Sequence, residues 1–224
     1  MKPISAWHII SYPRSGNHLV RGIVEAYSKR PTEGCFGIKT DPPIYQNKAN
    51  KDGIISIKSD VAIGYKAHLL REIHARDLLY GRSNLGMILI TRNPADAIAS
   101  QCVRILSNKR EHPFLTKRKK RILVQNEIDS YLALLFRFAS HKKEMKVHLK
   151  YESLISPETS KQTIVELLSV LNVELTGPPI EKVLQITKSS QVSVGSKFPA
   201  LKDEIRSEVQ SQLSYSDVLS YITS

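Results

Sequence analysis

The chain has 224 residues, 41% hydrophobic and 24% charged, which excludes a disordered or fibrous protein and suits one substantial α/β domain or at most two small ones, the expectation being a single domain over residues 1–224. Basic residues outnumber acidic ones 33 to 21, and the net charge of +12 points to anionic partners. Two cysteines, Cys35 and Cys102, exclude a disulfide framework, and no Cys/His cluster has zinc spacing. No apolar run approaches the roughly 20 residues of a spanning helix, and Arg14 interrupts the only stretch that could resemble a signal peptide, so a cytoplasmic location is expected.

Taken along the chain, Ala6–Ser11 is an apolar run that stops at Tyr12-Pro13 and predicts a buried strand. After Gly16, Leu19, Ile23, Val24 and Tyr27 recur at helical intervals. Residues 30–58 are rich in Pro, Gly, Lys and Asn and predict an irregular excursion with one short strand. Val61–Tyr65 predicts a second strand, followed by a helical stripe over 69–79. Gly86–Thr91 is apolar throughout, as a parallel strand covered on both faces should be. Asn93-Pro94 then opens a helix to about Leu106, with proline in a tolerated first-turn position.

Between Ser107 and Arg121 seven basic residues face one acidic residue, half of the whole surplus in one stretch, which reads as a solvated loop. Val124, Ile128, Tyr131, Leu132, Leu135 and Phe138 mark the apolar face of a long helix, and Met145–Tyr151 predicts a strand. Ser156-Pro157-Glu158 has the chemistry of a helix start, with the helix running to Leu171. Further helices are expected over 180–187 and along Leu201, Ile205, Val209 and Leu213. Strands alternating with helices predict an α/β fold, a central parallel sheet flanked by helices in three layers.

Three stretches carry chemistry. Tyr12-Pro13-Arg14-Ser15-Gly16-Asn17 lies between a strand and a helix, where unpaired amides and the helix dipole favour phosphate. Arg14 supplies a cation, Ser15 and Asn17 side-chain donors, Gly16 close access to the backbone, and His18 sits in the following turn. The magnesium-dependent G-x-x-x-x-G-K-[ST] loop is absent. Arg92 follows the strongest strand, where ligands of open α/β sheets gather, and Ser100 lies two helical turns further on. The competing reading of that stretch is a simple Arg92–Asp96 pair. Tyr65-Lys66-Ala67-His68 follows the second strand, and a histidine beside a cation suits a general base. His8, His74, His112, His141 and His148 are read as structural.

The order of these elements resembles the sulfotransferases that use 3′-phosphoadenosine-5′-phosphosulfate (PAPS), over Ile9 to about Leu171. The resemblance implies a P-loop-like turn at Arg14, Ser15, Gly16, Asn17 and His18 for the 5′-phosphosulfate. It implies Arg92 and Ser100 for the 3′-phosphate, and Tyr151, in Lys150-Tyr151-Glu152-Ser153-Leu154, near the adenosine. His68 is implied as the base, with Lys66 and Arg14 stabilising negative charge, and no metal. Several positions depart from the family pattern. Arg14 stands where many members have lysine, Asn17-His18 replaces a pair of hydroxyl residues, and the late Arg-Lys-Gly element is reduced to Val194-Gly195-Ser196-Lys197, with Lys197 the candidate for the 3′-phosphate. Trp7, the only tryptophan, comes too early to stack on adenine as a late one would. The acceptor is expected to be a small molecule or glycan, not nucleic acid. The alternative on the same fold is a non-catalytic or kinase-like nucleotide binder, which would want ATP and magnesium.

Overall fold

The computed structural model describes residues 6–34, 61–68, 72–73, 85–108, 116–140, 145–189, 198–213 and 218. The expected helical stripe after the second strand lies outside these except at Glu72 and Ile73, and so do His74, His112, His141, Cys35 and Lys197. The described residues fall into two compact units.

The first unit holds a five-stranded parallel sheet in the order β2-β3-β1-β4-β5. Its strands are β1 (Ala6–Ser11), β2 (Thr32–Glu33), β3 (Gly64–Ala67), β4 (Leu85–Thr91) and β5 (Lys146–Lys150). Every residue of β1 and β4 is buried, as the uninterrupted apolar runs predict for strands covered on both faces. β5, at the sheet edge, buries only Leu149. Between the central strands Trp7 pairs with Gly64 on one side and Gly86 on the other. A Cβ on Gly86 would lie 2.4 Å from the Trp7 ring, so the indole needs that glycine in order to lie flat on β4.

β3 begins three residues later than the expected start at Val61 and extends to Ala67. Ahead of it the Arg30 guanidinium takes the carbonyls of Val61 and Ala62, at 3.1 and 2.9 Å, which leaves them as a clamp and not as ladder. Helix α1 (Asn17–Ser28) follows β1 and packs Leu19, Val20, Ile23, Val24 and Tyr27 into one core with Ile9, Ile88 and Ile90. That core is completed by α4 (Tyr151–Ile155), α5 (Ser160–Val170) and α6 (Ile180–Ser189). α5 starts at Ser160, later than the Ser156-Pro157-Glu158 signal, because those residues form a turn in which the Ser156 hydroxyl accepts from the Glu158 N–H. α4 was not anticipated: Tyr151 opens a helix and does not close the strand.

α1 also carries a buried charge cluster. Arg21 and Glu25, both fully buried, converge on Thr32 of β2. The guanidinium donates to the Thr32 hydroxyl at 2.7 Å, while the Thr32 N–H and hydroxyl both donate to the Glu25 carboxylate. This cluster fastens the sheet edge to the helix.

The second unit is helical around the Tyr12–Ser15 turn. It contains α2 (Pro94–Asn108), α3 (Lys117–Ser140) and α7 (Pro199–Gln212). α3 buries Val124, Ile128, Tyr131, Leu134, Leu135 and Phe138, so Leu134 takes the core position expected of Leu132. The basic run is not a loop: Lys117–Arg121 form the first turns of α3 and are largely exposed, with Lys120 paired to Glu204 of α7. Among the described residues no helix is long and apolar enough to cross a membrane.

Candidate active site

In the first unit the site is built from the ends of β1 and β3. Ser11 closes β1, and its carbonyl lies 2.6 Å from Nδ1 of His68, one residue beyond β3. A carbonyl can only accept, so Nδ1 carries the proton and Nε2 presents its lone pair. The backbone N–H of His68 donates to the buried Glu72 carboxylate at 2.6 Å, which fixes the residue from its other side. Burial holds the imidazole down to about 4, and the nearby Lys66 charge adds to the effect. His68 is therefore neutral at neutral pH. Lys66 is buried at 8% exposure, one residue before the strand end, and so brings its ammonium into the same neighbourhood.

Asn17 opens α1 and turns inward. Its amide nitrogen donates to the Ile9 carbonyl at 2.9 Å and to the Ser11 hydroxyl at 3.1 Å. Both amide hydrogens are thereby spent, and the side-chain donor expected for a phosphate is not available. Asn17 instead braces the residue whose carbonyl orients His68. His18, beside it, is exposed and contributes a small further depression of the His68 pKa. Gly16 is left-handed at φ 94, and a Cβ there would come within 2.3 Å of the Tyr151 ring. The face that was expected to admit a ligand is thus occupied by Tyr151. The glycine serves the turn geometry and the ring.

In the second unit the Tyr12–Ser15 turn closes with the Ser15 N–H donating to the Tyr12 carbonyl at 3.2 Å. Arg14 is left-handed at φ 70, a conformation costing about 1–2 kcal/mol for a residue other than glycine. Arg92 Nη1 donates to the Arg14 carbonyl at 3.1 Å, and Arg14 Nε donates to the Ser100 hydroxyl at 3.3 Å. Arg14, Arg92 and Ser100, three of the residues singled out in the sequence, therefore form one cluster. The alternative Arg92–Asp96 pair is not formed, because the Asp96 carboxylate is taken by Arg206 of α7. Asn93 caps α2 through its side-chain oxygen, at 3.0 Å from the Ala95 N–H.

Sequence reasoning missed the brace behind this cluster. Tyr12 donates to Glu127 of α3, and its ring lies 5.1 Å from that of Tyr131, whose hydroxyl donates to the Arg92 carbonyl at 2.8 Å. Burial first, and Glu127 second, raise the Tyr12 pKa and keep its hydroxyl a donor. The available signal was a carboxylate at 127 among Val124, Ile128 and Tyr131, a charge at the margin of an apolar helix face.

The fit of a phosphate is tested by Ser15. Its hydroxyl is fully buried without a partner, an arrangement that costs about 1–3 kcal/mol unless something accepts from it. An anionic oxygen held at the turn satisfies that group. Among the described residues no group of three or more His, Cys, Asp or Glu is placed to share a metal ion.

No family model matches the chain, and no curated protein matches it. Solved structures do. The crystal structure of mouse sulfotransferase SULT7A1 complexed with PAP shares 15% identity at a TM-score of 0.53, covering 84% of this chain and 67% of that one. The sulfotransferase domain from the Synechococcus PCC 7002 olefin synthase shares 12% identity at a TM-score of 0.53, covering 99% of this chain and 94% of that domain. The fold is sulfotransferase-like. Within this sulfotransferase-like fold, the turn after β1 and the segments after β3 and β4 hold the chemistry-bearing residues named from the sequence.

Proposed function

We propose that the chain is a PAPS-dependent sulfotransferase that moves a sulfuryl group to an acceptor hydroxyl or amine. The observation that carries this reading is the bond from His68 Nδ1 to the Ser11 carbonyl, which leaves Nε2 as a neutral base. Support for the donor comes from the partnerless Ser15 hydroxyl, from the Arg14–Arg92–Ser100 cluster, and from a structural neighbour that is complexed with PAP.

The residue roles follow from the chemistry. The turn at Ser15 takes the 5′-phosphosulfate. Arg92 and Ser100 take the 3′-phosphate. The acceptor oxygen attacks sulfur as the bond from sulfur to the phosphate oxygen breaks, and the acceptor proton passes to His68 Nε2. Lys66 stabilises negative charge on the oxygens in transit. Tyr151, packed on the glycine turn, lies near the adenosine in this reading. Side-chain cations supply the positive charge in this reading, and the acceptor is a small molecule or glycan.

The test is a calorimetric titration with PAP, ADP and ATP in the absence of magnesium, followed by labelled sulfate transfer from PAPS. PAP should bind more tightly than ADP or ATP. Preference for ATP, restored by magnesium, would favour a kinase-like nucleotide binder instead.

A further inference from the structure

We propose that the outward face of α3 is a docking surface for an anionic membrane, held by the cations of its first turns and by Ile122 and Phe136. The inference is independent of the sulfotransferase reading, since none of these residues belongs to the candidate site. α3 buries Val124, Ile128, Tyr131, Leu134, Leu135 and Phe138 on one side. At about 100° per residue, the opposite side carries Arg118, Lys119, Ile122, Asp129, Ala133 and Phe136. Ile122 is 51% exposed and Phe136 is 66% exposed, so both large apolar side chains stand in water on that outward side. They lie fourteen residues apart, about 21 Å along the axis at the helical rise, and a flat surface laid along the helix meets both.

The charge at one end of this face decides the occupant. Thr116 starts the helix, its hydroxyl accepting from the Lys119 N–H at 3.3 Å, and the five residues that follow are all cations. No acidic residue stands in the first turn, where the positive end of the helix dipole would favour one. Lys120 is paired with Glu204 of α7. Among the described residues, Lys117, Arg118, Lys119 and Arg121 form no ion pair, and all four are exposed. Positive charge is thus gathered where the helix itself disfavours it, and an anionic surface relieves that repulsion. Asp129, the acidic residue of this face, is held by the Gln125 amide at 2.9 Å. The hydrated phosphates of a nucleic acid would satisfy the cations but leave Ile122 and Phe136 in water. Phospholipid headgroups take the cations while the acyl boundary takes both apolar side chains, the pattern of a helix lying in the interface plane.

The test is flotation of the full chain with vesicles of phosphatidylcholine alone and of equal parts phosphatidylcholine and phosphatidylserine. The wild type should float with the anionic vesicles and not with the neutral ones, and should be released as salt rises. Each cation contributes about fivefold near an anionic surface, so the triple variant Arg118→Gln, Lys119→Gln, Arg121→Gln should bind roughly a hundredfold more weakly. Glutamine removes charge from the disfavoured helix end at little cost in propensity, so this variant keeps the fold. Ile122→Ser should weaken binding by about tenfold, through lost apolar burial. Phe136→Trp reports insertion: its emission should shift to the blue on anionic vesicles, over a constant background from the buried Trp7. Equal flotation with both vesicles, flotation with neither, or wild-type binding by the triple variant would overturn the proposal. So would an unshifted Phe136→Trp emission or an unaffected Ile122→Ser variant; either of these, with tight binding of a duplex RNA, would make the patch a nucleic-acid surface instead.

Discussion

The two units hold their functional side chains by opposite means. In the first, His68 is gripped by main chain and by groups that meet no ligand: the Ser11 carbonyl, the Glu72 carboxylate, and Asn17 behind Ser11. In the second, the groups proposed to meet the ligand grip one another, Arg92 on the Arg14 carbonyl and Arg14 on Ser100. Anchoring to a carbonyl decides which nitrogen carries a proton, a property that matters in chemistry. Mutual anchoring of donors decides where positive charge and hydroxyl hydrogens converge, a property that matters in binding. On the sulfotransferase reading proposed above, the first set of residues would serve turnover and the second affinity.

The sharpest way to break that division is His68→Ala. A general base contributes about 10²–10⁴-fold, so kcat should fall by that amount while PAP affinity stays within about twofold by calorimetry. A comparable loss of PAP affinity would show that the two roles are not separate.

Gly16→Ala is the next largest. The alanine must adopt a φ of 94 and displace the Tyr151 ring from 2.3 Å. The backbone term alone is about 1–2 kcal/mol, so the denaturant midpoint should fall clearly and PAP affinity should fall with it. Loss of affinity at unchanged stability would mean that Gly16 faces the ligand after all, contrary to the packing of Tyr151.

Much of this was legible in the sequence because the fold writes its strongest terms there. β1 and β4 are buried on both faces and therefore read as unbroken apolar runs, α1, α3 and α7 read from their periodicity, and α2 reads from the proline that opens it. Local polar competition was not legible. The Arg30 clamp on two carbonyls delayed β3, and a Ser156 side-chain bond made a turn where a helix cap was expected. In the site, residue types predicted chemistry but not direction. Asn17 was chosen as a donor, and it is one, toward Ile9 and Ser11. Glu127 and Glu72 carried no motif because each acts by holding a neighbour, through a contact that sequence separation hides.

A further effect comes from pH and bears on the main-chain half alone. His68 is held at about 4, chiefly by burial and then by Lys66, and His148 on β5 is held at about 4 by burial and then by Lys150. In the unfolded chain both sit near 6.5. Above that value neither state takes a proton, and stability does not depend on these groups. As pH falls from about 6.5 toward 4 the unfolded chain binds protons that the folded chain refuses, so stability must decline, and below about 4 the decline from these groups stops. Each histidine contributes a slope of at most about 1.4 kcal/mol per pH unit. Urea midpoints between pH 7 and 5, before most carboxylates titrate, should therefore fall for the wild type, less for His68→Gln, and least for the variant lacking both histidines. If His68→Gln kept the full wild-type slope, the imidazole would be titrating freely in the folded chain. Burial beside Lys66 would then not be holding it neutral, and the enclosed setting proposed for this imidazole would be lost.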